Sequence, residues 1–357
     1  MKFSICVMAS IDDIDVFTEA EALGYEAVWA TDSQMLFSDC YAVLALAAKA
    51  TTRIRLGTGT SITGTRIPPV HVAAAATLNR IAPGRIHIGI GTGNTAMRTM
   101  GQRPMRIAEY DEYLRVLAGL LRGETVDYAY NGNAKPVAML MHDDTGYMNL
   151  APKIPLYVSG FGPRAMGLAG EHGDGLVFAI PPRGVAVAEA MAHVRQGAAR
   201  AGREIGSNFR NCALTNIALL EPGEAVDSDR IKRQIGPNVM ASVYYFYDEV
   251  RERGVEVPEF LKPIWRRYCA LVETTAPELR HLRTHEFHYT YLHPGEAELI
   301  DADLIRATCL VGEPDAVIDQ IRQLEAEGLQ EIMFATGVPE KRDVIRAFAR
   351  EVIDRYG

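Results

Sequence analysis

The segment TTRIRLGTGTSITGTRIPPVHVAAAATLNRIAPGRIHIGIGTGN, residues 51–94, decides the fold because it places a helix pattern between two strand patterns. The first strand pattern, RIRLGTG, covers residues 53–59, and the second, RIHIGIG, covers residues 85–91. Between them, VHVAAAATLNRIA at residues 70–82 has the apolar spacing of a helix. Alternation of this kind predicts a parallel sheet covered by helices.

The same alternation extends along most of the 357 residues. Eight strands alternating with helices predict an α/β fold, a TIM (β/α)8 barrel that forms a single domain over residues 1–357. The alternative is a doubly wound sheet divided between two domains, but no Pro/Gly/Ser-rich linker separates two halves of the chain. The eight strand patterns are FSICVM (3–8), EAVWA (26–30), RIRLG (53–57), RIHIGI (85–90), PLYVS (155–159), GLVFA (175–179), CALTNIALL (212–220) and EIMFA (331–335).

Two stretches interrupt the barrel pattern. Asn131-Gly132 lies between apolar runs and predicts a β-hairpin. Residues 221–302 are dense in charge, aromatic residues and helical periodicity, and we expect a mostly helical insertion that forms a lid or substrate wall. The aromatic run YYFY at residues 244–247 suits a helix core, a dimer interface or a substrate wall equally well.

Composition favours small-molecule chemistry. The net charge of −8, with no block of lysine or arginine, argues against a nucleic-acid partner. The sequence has no apolar run of about 18 residues, so no membrane span is expected. Its five cysteines are far apart and its first residues are too soon polar for a secretory signal, which predicts a cytoplasmic location.

The glycines after the fourth strand admit two interpretations. Residues 91–96 match G-x-G-x-x-A, the dinucleotide fingerprint of Rossmann domains. That fingerprint requires the first strand-to-helix turn of the fold and an acidic residue about 20 positions later at a strand end. Here the glycines end the fourth strand and the chain is helical 20 residues on, so we favour the carboxyl-terminal rim of a barrel, where active sites are built.

Three segments together resemble the bacterial luciferase-like superfamily of flavin- and deazaflavin-dependent oxidoreductases. They are GYEAVWATDSQ (24–34), the segment 51–94 and IPLYVSGFGPRAMGLAGEHGDGLVF (154–178). The resemblance implies a TIM barrel that holds an isoalloxazine-like ring at its carboxyl-terminal mouth. It also implies a homodimer or a larger homo-oligomer.

The resemblance assigns cofactor-binding residues position by position. It implies that a non-prolyl cis peptide maps to Gly59-Thr60. Some relatives carry histidine where this chain has Ser33, and some carry an acid where it has Asn94, which places proton transfer elsewhere because an amide is no general acid. The expected ring contacts are Asp32, Ser33, Gly59, Thr60, Thr92, Gly93 and Asn94, and the expected phosphate turn is Ser159, Gly160, Phe161, Gly162 and Arg164.

No residue stands out from the sequence as the catalytic acid or base. His71, His285 and His288 are candidates, and His293 lies in the same histidine-rich stretch. The H-x-x-H spacing of His285 and His288 lacks the further ligands that a metal ion needs, so no metal is expected.

The resemblance leaves the chemistry open among three functions. We expect a monooxygenase that uses reduced FMN, supplied by a separate flavin reductase, to oxidise a small organic substrate with O2. The alternative is a reductase or dehydrogenase that transfers hydride with the deazaflavin coenzyme F420, whose acidic tail would contact Arg66, Arg98, Arg103 and Arg106. A non-catalytic flavin-binding homologue is the third.

Overall fold

A computed structural model describes residues 1–141, 143–180 and 184–357. Eight of its strands form a closed barrel in the order β1-β2-β3-β4-β7-β8-β9-β12, with β12 paired to β1 and all neighbours parallel. The predicted TIM barrel is therefore confirmed. In chain order the strands are β1 Lys2–Val7, β2 Ala27–Ala30, β3 Arg55–Ile62, β4 Ile86–Gly91, β5 Val126–Tyr130, β6 Asn133–Val137, β7 Leu156–Ser159, β8 Gly175–Phe178, β9 Arg210–Thr215, β10 Ile217–Leu219, β11 Leu310–Gly312 and β12 Glu331–Thr336.

Helices surround the barrel or form the insertion. The last of them is preceded by one π-helical turn, Ala349–Ile353, and short 3₁₀ turns cover Asp143–Thr145, Glu259–Leu261, Pro277–Leu279 and Ala297–Leu299. The α-helices are α1 Asp15–Ala22, α2 Cys40–Ala50, α3 Pro68–Ile81, α4 Asn94–Arg98, α5 Ile107–Leu121, α6 Pro163–His172, α7 Val187–Arg200, α8 Asp229–Arg253, α9 Lys262–Glu273, α10 Arg280–His285, α11 Ala302–Thr308, α12 Pro314–Ala326, α13 Lys341–Phe348 and α14 Asp354–Tyr356.

The predicted seventh strand, residues 212–220, is wrong in its second half. The chain leaves the barrel after Thr215, and β10 pairs instead with β11 in a separate two-stranded parallel sheet. Both stretches are apolar and β-branched, so sequence pattern alone does not separate them. The predicted hairpin is confirmed: β5 and β6 pair antiparallel, and Asn131 and Gly132 between them both have positive φ.

The insertion has a hydrophobic core of its own. Long helix α8 packs on α9 and α11 through a cluster that includes Val239, Val243, Tyr247 and Tyr268. Gly254 ends α8 in the left-handed conformation, with φ of 65°. Tyr244 and Tyr247 belong to this core, whereas Tyr245 and Phe246 line a cavity. One face of the helix in the run 244–247 therefore packs in the core, and the other face forms cavity wall.

A buried polar network lies in the barrel interior, beside an apolar cluster that includes Trp29 and Met333. Glu331 is fully buried, and its Oε1 accepts hydrogen bonds from Ser4 Oγ at 2.6 Å and Trp29 Nε1 at 3.3 Å. The guanidinium of Arg55 lies 3.9 Å from the other carboxylate oxygen and donates to the Tyr157 hydroxyl at 3.0 Å. This network closes the bottom of the barrel and leaves the carboxyl-terminal mouth as the open end.

Among the described residues, no helix is both long enough and apolar enough to cross a membrane.

His87 lies in the barrel interior without hydrogen-bond partners among the described residues. Its ring centroid is 4.0 Å from that of Trp29, and neither ring nitrogen is paired. Burial, and secondarily the positive charge of Arg55, lower the pKa of His87 well below 6.5. The folded protein therefore keeps this imidazole neutral.

We predict that His87→Leu makes folding stability less sensitive to acid. Below about pH 6.5, His87 binds a proton in the unfolded protein but not in the folded protein. The contribution of His87 to the free energy of unfolding is therefore fully present above that pH and is lost as the pH decreases. The variant should reduce the slope of unfolding free energy against pH, between about pH 6 and 5, by about 1 kcal/mol per pH unit. Urea unfolding at a series of pH values measures this slope. An unchanged slope would show that folded His87 binds its proton normally.

Candidate active site

The carboxyl-terminal ends of the barrel strands and one face of the insertion enclose a cavity of about 960 Å³. All twelve cofactor-binding positions expected from the sequence line it: Asp32, Ser33, Gly59, Thr60, Thr92, Gly93, Asn94, Ser159, Gly160, Phe161, Gly162 and Arg164. His285 and His288 also line the cavity, whereas His71 does not border it. The fold thus brings together segments that are up to 302 residues apart in sequence, from Thr31 to Met333.

Glycine backbone forms the floor of the cavity. The Gly59-Thr60 peptide bond is cis, as the resemblance implied, and the pairing of β3 with β4 shifts register between Thr58 and Ser61. A side-chain carbon on Gly59 would lie 2.6 Å from Trp29 Cβ, and one on Gly91 would lie 2.7 Å from Thr60 Oγ1. Only glycine permits such close packing, and it leaves a bare surface on which a flat ring can lie.

Asp32 is held in a buried hydrogen-bond network and is not a solvated loop acid. Its Oδ2 accepts from Arg66 Nη1 at 2.6 Å, from Ser61 Oγ at 2.7 Å and from the Ile62 amide at 3.3 Å. Arg66 also bonds to Asp39, the residue that caps α2, with Nη2 2.6 Å from Asp39 Oδ2. Arg66 is therefore neutralised behind Asp32 and does not line the cavity, contrary to its expected place on the cofactor tail.

His71 reaches the cavity only through other residues. Its Nε2 lies 3.0 Å from Ser61 Oγ, and its Nδ1 contacts the Tyr113 hydroxyl. Burial, and secondarily the charge of Arg66, lower the pKa of His71 to about 4, so the ring is neutral at neutral pH. This geometry makes His71 a support for Asp32 through Ser61 and separates it from a bound ligand.

The predicted phosphate turn joins β7 to the amino terminus of α6. Pro163 is the first residue of the helix, and the amide groups of its first turn have no partners within the helix. These amides, together with the positive end of the helix dipole, suit an anion. Arg164 borders the cavity here, but its Nη2 is 2.5 Å from Asp111 Oδ2 and 3.2 Å from Glu171 Oε2. Two carboxylates thus already share its charge.

Among the residues that the structure describes, one group of three side chains of the types that bind metal ions lies beside this turn. It consists of Asp111, Glu171 and His172. Arg164 pairs with both carboxylates, and Arg200 bonds to Glu171. Two guanidinium groups already neutralise these acids, so the arrangement is an ion-pair network.

Arginine is the commonest charged residue on the cavity wall. The arginines outnumber the carboxylates five to three in this lining. Arg103 is exposed, and Arg106 bonds to Glu109 in the first turn of α5. The five arginines are Arg98, Arg103, Arg106, Arg164 and Arg253, and the three acids are Asp32, Glu249 and Glu252.

Arg98, the last residue of α4, links this helix to the insertion. It is 3% exposed, and its Nε and Nη2 donate to Glu252 at 2.9 and 2.8 Å. Nη2 also donates to Glu249 at 3.1 Å, and Nε lies 3.6 Å from Asp248. These three acids could not be predicted as site residues, because they are about 150 positions from Arg98 and form an ordinary helical charge pattern.

The two histidines of the insertion lie at the same end of the cavity. His285 Nε2 is 3.0 Å from Asp248 Oδ2, and His288 Nε2 is 3.2 Å from Thr95 Oγ1. Their ring centroids are 5.5 Å apart. Burial, and secondarily His285, lower the pKa of His288 well below 6.5, so that ring is neutral. His293 bonds to the carbonyl of Glu286 at 3.1 Å and does not line the cavity.

Comparisons with known proteins identify one family and several of its members as relatives. A model of the luciferase-like monooxygenase family matches residues 11–331. The 5,10-methylenetetrahydromethanopterin reductase of Methanopyrus kandleri is 26% identical over 94% of this chain and 92% of its own length. The F420-dependent glucose-6-phosphate dehydrogenase of Kineococcus radiotolerans is 29% identical over 60% of this chain and 66% of its own length.

A solved structure shares the fold over the whole chain. The coenzyme F420 dependent tetrahydromethanopterin reductase from Methanopyrus kandleri superimposes with a TM-score of 0.69 at 21% identity, covering 100% of both chains. The two enzymes similar in sequence correct the expectation of a monooxygenase using reduced FMN, because one is a reductase and the other an F420-dependent dehydrogenase. The segments that carry the resemblance belong to a superfamily of both flavin- and deazaflavin-dependent enzymes, so they do not decide between the two cofactors. They carry no information on reactivity with O2.

We predict that Arg98→Met loosens the insertion. The change leaves Asp248, Glu249 and Glu252 without their shared counter-charge, and breaking a buried ion pair costs about 3 kcal/mol. Amide hydrogen exchange in residues 240–253 should accelerate markedly. The control is Arg233→Met, because Arg233 is exposed on the same helix. Equal exchange in the two variants would show that Arg98 does not hold the insertion.

Proposed function

The chain belongs to the luciferase-like monooxygenase family, and within it we propose an oxidoreductase that uses coenzyme F420 for hydride transfer without O2. The other reactant is a small organic molecule bound in the cavity. The family and the relatives support an oxidoreductase, and the named relatives favour F420 over FMN. The structural observation that carries the proposal is the arginine-rich cavity wall, on which exposed Arg103 has no ion pair among the described residues.

The residues present fit this cofactor. The glycine floor at Gly59 and Gly91 offers a flat surface for the ring system. The phosphate turn offers free backbone amides at the start of α6. Arg103, Arg106 and Arg164 surround the mouth, where a long acidic tail needs positive charge. FMN has a phosphate but no such tail, so an arginine-rich mouth beyond the phosphate turn favours the deazaflavin.

The chain's contribution is to bind, orient and exclude water. Coenzyme F420 supplies a carbon that donates or accepts a hydride. Asp32 holds its position through Ser61 and Arg66, and Thr92 and Asn94 border the ring site. Tyr245 and Phe246 cover the opposite side with apolar surface, and burial raises the pKa of Tyr245 to about 12. We propose that residues 221–302 are the substrate wall for this reason.

Two sequence differences shape the mechanism. Ser33 and Asn94 stand where some relatives have a histidine and an acid, and neither a hydroxyl nor an amide readily donates a proton at neutral pH. Proton transfer therefore depends on side chains outside the barrel strands. We propose that the protein is a homo-oligomer, as the resemblance implies, and that it is cytoplasmic, as its sequence predicts.

Titration of the purified protein with F420 and with FMN tests the proposal. Fluorescence quenching should give a dissociation constant for F420 at least tenfold lower than that for FMN. Tighter binding of FMN, with O2 consumed by the reduced complex, would contradict hydride transfer through F420. Binding of neither cofactor would contradict any redox role for the cavity.

We predict that Arg164→Ala weakens F420 binding by about tenfold or more, because a charge-assisted hydrogen bond contributes about 1.5–3 kcal/mol. Arg200→Ala is the matched control. Arg200 also pairs with Glu171, but it does not line the cavity, so its loss should leave the dissociation constant within about twofold. The same titration measures both. Equal effects in the two variants would indicate that only the shared ion pair matters.

A further inference from the structure

Three buried nitrogen atoms, each in a side chain that lines the cavity, have no hydrogen-bond partner among the described residues. They are Arg98 Nη1, His285 Nδ1 and His288 Nδ1. All three side chains line the cavity and are at least nine-tenths buried. A buried polar atom left unpaired costs about 1–3 kcal/mol, so three of them at one end of a cavity indicate a polar group that a ligand brings.

The protonation of His285 follows from its bond to Asp248. The Asp248 carboxylate can only accept, so His285 Nε2 carries a proton and donates it at 3.0 Å. The unpaired Nδ1 is then a base when the ring is neutral and an acid when the ring is protonated. A carboxylate that orients a histidine in this way is the arrangement used for general acid and base catalysis.

Arg98 places a fixed positive charge beside this histidine. Arg98 Nε and His285 Nε2 approach the same oxygen, Asp248 Oδ2, at 3.6 and 3.0 Å. Glu249 and Glu252 bind the Nε and Nη2 groups of Arg98, which leaves Nη1 as the free donor. A donor held this rigidly suits an oxygen that gains negative charge in a reaction.

The charged and titratable groups around His285 favour it over His288 as the residue that transfers a proton. Asp248 faces it from α8, with Arg98 beyond, and Glu252 is close enough for the imidazole to affect its carboxylate. His288 is held neutral by burial, its pKa lying well below 6.5, so it offers a hydrogen bond and no readily exchanged proton. His285 is therefore the proton carrier of the group.

Building on the proposed hydride transfer, we propose that Arg98 and His285 bind the reacting oxygen of a carbonyl or alcohol substrate, with His285 as the catalytic acid or base. On reduction, the carbonyl carbon receives the hydride, the π electrons move to oxygen, and the proton on His285 Nδ1 forms the new O–H bond. On oxidation, Nδ1 accepts the hydroxyl proton while the hydride leaves carbon for the oxidised coenzyme. Mass and charge balance in both directions with F420 as the only co-reactant.

Reduction of two classes of acceptor tests this inference. The wild-type protein and His285→Gln are given reduced F420 with propanal, acetone or cyclohexanone, and separately with N-methyl-1-pyrrolinium, an iminium ion that needs no proton. The wild type should reduce at least one carbonyl compound. The variant should lose about a hundredfold or more of that kcat, and retain iminium reduction and its dissociation constant for reduced F420.

The matched control is His281→Gln, on the same short helix but outside the cavity lining, which should retain both activities. Equal loss of carbonyl and iminium reduction in His285→Gln would indicate a structural role and overturn the inference. So would a wild-type protein that binds reduced F420 and reduces only the iminium ion. Failure to bind reduced F420 at all would instead overturn the proposed function.

A binding measurement gives a readout independent of turnover. Isobutyramide, an unreactive carbonyl compound, is titrated into protein labelled with 15N-histidine and free of coenzyme. The His285 signal, assigned by its loss in His285→Gln, should shift, while that of His281 stays in place. A stationary His285 signal at saturating isobutyramide would overturn the assignment of the subsite.

Discussion

The contact of Arg98 with three acids of α8 connects the two sides of the cavity. The barrel supplies the glycine floor and the insertion supplies the opposite wall, and this buried guanidinium joins the two. Ion pairs removed from water depend strongly on geometry, so the contact fixes one arrangement of α8 over the mouth. The 3.2 Å contact between Thr95 and His288, one turn of α4 away, relies on the same placement.

The barrel and its floor could be predicted because their signals are local. Strand patterns such as RIHIGI, the Asn131-Gly132 turn and the glycines of β3 and β4 each identify a conformation within a few residues. The end of β9 at Thr215 could not be predicted, since Ile217–Leu219 has an equally strong β-strand pattern and its partner β11 is about 90 residues away. Its pairing depends on tertiary packing, which a short apolar run does not encode.

The charges of the site were harder to predict than its shape. The sequence shows Arg66, Arg98 and Arg164 without showing which acids bind them. Folding neutralises Arg66 with Asp32 and Asp39, and Arg164 with Asp111 and Glu171. The same holds for the histidines, because burial beside Arg66 makes His71 a neutral support, whereas a bond to Asp248 gives His285 a directed proton. Cofactor preference and proton transfer both depend on such distant partners.

The small sheet of β10 and β11 brings the two ends of the insertion together. The chain departs from the barrel just after β9 and returns through β11, with Ile217 opposite Leu310. The hydrophobic core of the insertion is separate from that of the barrel. Because the chain leaves the barrel through β10 and returns through its partner β11, the segment between them is a separate structural unit. A change in the length of this segment therefore need not disturb barrel closure between β12 and β1.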